Sequence, residues 1–154
     1  MKKLFLILFC FGSLSLIAQS EAIKTRDSIT IGFYCGISGV KSSFVKDFEQ
    51  KILNISNFND LKNNLELKSI KDGSHIFLTI IICQELEKQN LILLSQEEKQ
   101  KIDKLSQSPV PLFLCEGCFR DTTSINSVIN NKKEDSFIEN ARQWAKELIE
   151  KSKK

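Results

Sequence analysis

The chain has 154 residues, 42% of them hydrophobic, with 22 basic and 19 acidic side chains and a formal charge of +3. That length supports one domain with its own core. The charge is small and evenly spread, which argues against a nucleic-acid partner.

The N-terminus is Met1, Lys2 and Lys3, then an apolar run from Leu4 to Phe11, then Leu14, Leu16 and Ile17, closing on Ala18, Gln19 and Ser20. A basic start, a short apolar stretch and small residues predict a secretory signal peptide over residues 1–20, cut after Ala18 or Ser20. Phe9 ahead of Cys10 stands where a lipoprotein signal needs a small residue. The remaining chain, 21–154, carries 20 basic and 19 acidic residues. It is expected in the periplasm or outside the cell, with no membrane contact after cleavage.

Residues 28–34 have a strand composition and end at Cys35-Gly36, and Gly36 and Gly39 mark a turn. Residues 41–54 read as a helix with Phe44, Val45, Phe48 and Ile52 on one stripe, capped by Ser42 or Ser43. A shorter helix is expected over 57–65. Ser74 to Asn90 is the centre of the chain. Ile76 to Cys83 is apolar except for Thr79, so it belongs inside a core. Its β-branched residues favour a strand. Its flanks favour a helix: Ser74 as N-cap, good helix formers from Gln84 to Gln89, and Asn90 to close it. Ser95 with Glu98 forms a capping-box pattern that opens a helix to about Gln107, and Pro109 and Pro111 stop it. Residues 110–114 are extended, 115–118 turn, and a short helix is expected over 122–129. Ser136 with Glu139 reads as a second capping box before an amphipathic helix carrying Phe137, Ala141, Trp144 and Leu148. The expected fold is mainly α, a compact domain of five to six helices. Residues 58–65 and 74–90 form a HEAT-like helical pair at its centre, and 28–34 with 110–115 form a short two-stranded β element.

Two resemblances follow from these residues. The Met-Lys-Lys start, the Ala-Gln-Ser end of the signal, Cys35-Gly36 and the late Cys-x-Gly-Cys resemble uncharacterised secreted proteins of flavobacterial type, and this resemblance implies no activity. The alternative is α/β. Strand 28–34, Cys35 to Ser38, helix 41–54, a strand at 76–83 and Val110-Pro111 before a hairpin resemble a thioredoxin fold. That resemblance implies a cis-proline at Pro111 beside the active site. It departs from the pattern where Ser38 replaces the second cysteine and Tyr34 the preceding tryptophan.

Beyond the signal the cysteines are Cys35, Cys83, Cys115 and Cys118. An even count in an oxidising compartment predicts disulfides. Cys35 and the Cys115/Cys118 motif each follow an extended segment, and pairing of the two segments would bring their ends together. Cys35 is therefore expected to bridge to one motif cysteine. Such a bond closes a loop of about 80 residues, worth roughly 4 kcal/mol in the chain-entropy model. Cys83, within the apolar run, is expected to stay a buried thiol or take the leftover partner. The catalytic alternative uses Cys115 and Cys118 as a redox CxxC pair. The motif is also half of a zinc site, which Cys35, Cys83 or His75 would have to complete; no second CxxC exists, and no metal or cofactor is expected. His75, the single histidine, lies near Asp72 in sequence and reads as a surface or capping side chain in the first turn of a helix. Trp144 reads as core. Asn54-Ile55-Ser56 is a glycosylation sequon that a bacterial-type chain leaves unused. The expected function is non-catalytic, structural or protein-binding, with a protein partner such as a secreted toxin. The alternative is a thiol–disulfide oxidoreductase.

Overall fold

The computed structural model describes residues 29–64, 73–130 and 135–153. The expected signal over 1–20, the stretch 21–28, residues 65–72, residues 131–134 and Lys154 lie outside the described residues. In chain order the elements are β1 (Ile31–Cys35), α1 (Ser43–Leu53), a 3-10 helix (Phe58–Asn64), α2 (Gly73–Lys88), α3 (Gln96–Ser106), β2 (Pro111–Gly117), β3 (Phe119–Ser124), α4 (Ile125–Asn130) and α5 (Asp135–Ser152).

Every residue from Ile76 to Cys83 is buried in α2. With no polar face, this helix must be covered on all sides. It touches α5, the 3-10 helix, α3 and β2. Phe77, Ile80 and Leu86 are fully buried, and each such side chain contributes about 1.5–3 kcal/mol by leaving water. The one mid-helix hydroxyl, on Thr79, donates back to His75 O at 2.8 Å, so its burial leaves no donor unmet. At the N-terminal end Gly73 lies against β2, where a Cβ would come within 2.7 Å of Val110 Cγ1. Ser74 Oγ donates to Ile29 O at 2.6 Å, tying the helix start to the residues before β1. At the other end Asn90 takes φ 57°. Leu91 N–H reaches Leu86 O, and Asn90 N–H reaches Glu87 O. This is a Schellman closure with asparagine in the left-handed position.

The amphipathic helices supply the cover. α1 is capped by Ser42, whose Oγ accepts from the Val45 amide, and it buries Phe44, Val45, Phe48 and Ile52. α5 buries Phe137, Ala141, Trp144 and Leu148. Phe33 of β1 packs on Phe137 and on Trp144, each at 5.4 Å between ring centroids. α3 opens on the reciprocal Ser95–Glu98 capping box. The Ser95 amide and the Lys62 ammonium both bond the Glu98 carboxylate and hold it below the usual carboxylate pKa.

The mainly α expectation is overturned. The three strands form one mixed sheet in the order β1-β2-β3, with β1 and β2 parallel and β2 and β3 antiparallel, so the fold is α/β. The missed strand is β3, where the residues from Thr122 were expected to be helical. Its sequence, Phe-Arg-Asp-Thr-Thr-Ser, is mostly exposed at the sheet edge and shows no apolar alternation. The helix begins only at Ile125, after Ser124 Oγ accepts from the Ser127 amide at 3.1 Å. The HEAT-like pair also fails, because residues 58–64 form a 3-10 helix. The thioredoxin-like arrangement needed a strand at 76–83, and that segment is α2; among the described residues no peptide bond is cis, that of Pro111 included. Ser136 lies inside α5 and does not cap it.

Replacing Ile80 by Asp would place an unpaired charge in the enclosed stretch, at a cost of several kcal/mol, comparable to a whole domain's stability. Far-UV circular dichroism of Ile80→Asp is expected to show loss of the fold at 25 °C; a native spectrum would show that α2 is not central.

Candidate functional site

One end of the sheet gathers Cys35, Cys115 and Cys118 and, among the described residues, most of the exposed large apolar side chains. Its geometry begins with a bulge. Between the pairs Ile31↔Leu114 and Tyr34↔Glu116, β1 advances three residues while β2 advances two. In unbroken register Cys35 would lie opposite Cys118. The bulge places it opposite Gly117 instead, on the face that Cys115 shares. Cys35 is bonded to Cys115, with Cα atoms 5.4 Å apart and a sequence separation of 80. Gly32 makes room for the bond: a Cβ there would overlap Cys35 Sγ and come within 2.8 Å of Cys115 O.

Beyond Cys35 the chain turns sharply. Gly36 and Gly39 both take positive φ, 69° and 60°, and Cys35 and Val40 exchange backbone hydrogen bonds of 2.6 and 3.0 Å. The Gly36 amide donates to Gly117 O at 2.6 Å, so the turn is fastened to the tip of the β2–β3 hairpin. That tip is a two-residue loop, Gly117-Cys118, with Gly117 at φ 55°, the left-handed value a tight hairpin needs at its first position. Lys41, just after the turn, pairs with Glu49 of α1, and Glu49 also accepts from Trp144 Nε1 at 2.7 Å. The turn is thus tied to the core through one carboxylate.

Four of the seven exposed large apolar side chains among the described residues sit here: Tyr34, Ile37, Val40 and Phe119. Ile37 is 98% and Phe119 81% exposed. Tyr34, Glu116 and Phe119 occupy one row across the three strands. Two hollows flank them. One, of about 250 Å³, is lined by both bonded cysteines, Val40, Lys41 and Arg120. The other, of about 420 Å³, is lined by Leu114, Glu116, Phe119, Asp121 and Phe137.

Cys118 is an exposed thiol in the hairpin loop, and Cys83 a buried one in α2. The two CxxC cysteines are therefore not bonded to each other. Burial pushes the Cys83 thiol up to about 12, and the nearby Glu98 carboxylate adds to the rise. The His75 ring meets Phe44 edge-on and Phe48 at a tilt, with centroids 4.9 and 5.5 Å apart. Trp144 is core. Asn54 closes α1, its amide bonded to Gln50 O and Ile52 O. Among the described residues no group of three or more metal-ligating side chains gathers, and no helix is long and apolar enough to cross a membrane. Sequence reasoning passed over Gly32, Ile37 and Phe119. Ile37 had a signal, a large aliphatic residue between two turn glycines. Phe119 had none, because its strand was not foreseen.

No protein-family model, curated protein or solved structure matches the chain.

Gly32→Ala is expected to disrupt the Cys35–Cys115 bond, because the new methyl group and the sulfur claim one space. Peptide mapping without reduction should find both thiols free in a large fraction of the folded variant; a fully formed bond would contradict this packing.

Cys83 gives a pH dependence of defined sign. Folding holds the thiol protonated, whereas in the unfolded chain it ionises near pH 8.5. Its contribution is complete below that pH and is lost as pH rises toward 12. Measured in a Cys118→Ser background, the stability advantage of Cys83 over Cys83→Ala should shrink above pH 9 by roughly 1 kcal/mol per pH unit. A difference independent of pH would contradict the burial argument.

Proposed function

We propose that this is a secreted or periplasmic domain, braced by a disulfide, that binds another protein through the apolar end of its sheet and catalyses no reaction. The observation that carries this reading is the exposure of Ile37 and Phe119 on backbone fixed by the Cys35–Cys115 bond and the Gly36–Gly117 hydrogen bond. Clustered apolar side chains on a soluble surface mark interaction sites, whereas scattered ones do not. Each of these side chains would contribute about 1.5–3 kcal/mol on burial. Because the turn is already held in place, little ordering entropy opposes that gain. The signal-like N-terminus and the disulfide both support an oxidising compartment.

A second reading, thiol–disulfide oxidoreductase, is favoured by one observation. The exposed Cys118 lies three residues from the bonded Cys115, and a hollow opens onto the bond. A partner thiolate could attack there, forming a mixed disulfide and releasing one cysteine as thiolate. Turnover in an insulin-reduction assay that disappears in Cys118→Ser would replace the first reading with this one.

The first reading is tested by placing a photo-crosslinking amino acid at position 37, 119 or 93 in the producing cell. Leu93, 82% exposed, follows the far end of α2 and serves as the control. A discrete adduct with one partner is expected from positions 37 and 119 and not from 93. Equal adducts from all three, or none, would contradict a binding surface at this end.

A further inference from the structure

The 420 Å³ hollow has a chemistry that selects its occupant. Leu114 pairs with Asp121 and Glu116 with Phe119, so these four side chains form a diamond on one face of the hairpin. The two carboxylates are diagonal neighbours across the strands, with Cα atoms about 7–8 Å apart. Among the described residues no basic side chain lines the hollow. Each carboxylate is steadied through one oxygen: Asn140 Nδ2 donates to Glu116 Oε1 at 3.2 Å, and the Thr122 amide donates to Asp121 Oδ1 at 2.7 Å. Each has a second oxygen with which to receive a ligand. The remaining walls are Leu114 and the rings of Phe119 and Phe137.

We propose that this groove receives an arginine or lysine side chain of the bound protein, its charged head between Glu116 and Asp121 and its stem along Phe119 and Phe137. This rests on the reading of the sheet end as a protein-binding surface. Long basic side chains combine an apolar stem with a charged tip, the sequence of environments the groove offers. The exposed ring of Phe119 adds a π face for the cation. A neutral apolar side chain seated here would strip water from two carboxylates without replacing it. An acidic one would meet two like charges.

The test is selection of displayed random peptides on the immobilised, oxidised full chain and, in parallel, on Glu116→Gln/Asp121→Asn. The proposal expects peptides from the wild-type chain to share an arginine or lysine beside apolar residues. Their binding should fall at least tenfold on the double variant and weaken with added salt. Phe119→Ser should weaken the same peptides. Selected peptides without a basic residue, or ones bound equally by wild type and double variant, would overturn the proposal while leaving the apolar binding surface standing. Recovery of no peptide above background would overturn the proposal, and the crosslinking adducts from position 37 would still decide the broader reading.

Discussion

The enclosure of α2 is the constraint on which the rest of the structure depends. A helix apolar around its whole circumference cannot lie on a surface, and a single layer of amphipathic helices covers only part of it. Here α5, α3 and the 3-10 helix cover some of its sides and β2 another. The sheet is therefore part of the enclosure and not an addition to it. Its central strand brings Leu112 and Leu114 to the core, and β1 brings Ile31 and Phe33. Once β2 is held against α2, β1 on one side of it and β3 on the other complete the layer.

The far end of that sheet is built on different principles. The core is held by burial, which is non-directional. The cysteine end is held by a covalent bond, three left-handed glycines and a few backbone hydrogen bonds. These directional restraints allow apolar side chains to stay in water without collapsing inward. Ile37 stands on a turn bounded by Gly36 and Gly39 and is almost fully exposed. Glu49 joins the two regimes, since it receives both Lys41 from the turn and Trp144 from the core. The proposed function follows from this division: one part of the chain supplies stability, and the other presents a fixed surface.

Several elements were legible because their signals are local. The Ser95–Glu98 capping box, the Ser42 cap and the closure at Asn90 are backbone hydrogen bonds formed within a few residues. The flanks of α2 outweighed its β-branched interior for the same reason. What was not legible depended on pairing distant in sequence. β3 is a mostly exposed edge strand; Thr122 and Thr123 suit a strand, but with no apolar alternation to mark it the following helix was extended back into it. The 3-10 helix at 58–64 has the apolar residues of a helix but not the length. At the site, the segments that meet were readable, but the bulge between Ile31 and Tyr34 that selects the face of Cys35 was not. A bulge arises from the register of two strands, and single-chain periodicity carries no record of it. The groove residues were out of reach in the same way, because Glu116 and Asp121 become neighbours only through the hairpin register.

Amide hydrogen exchange of the oxidised and reduced chain tests this two-part organisation most directly. If burial of α2 holds the core and the Cys35–Cys115 bond holds the cysteine end of the sheet, reduction should release the amides of Cys35, Gly36 and Val40 almost to unprotected rates. Those of Ile76 to Leu86 should remain the slowest in the molecule. Loss of protection in α2 as early as at the turn, or an unchanged turn after reduction, would contradict the account.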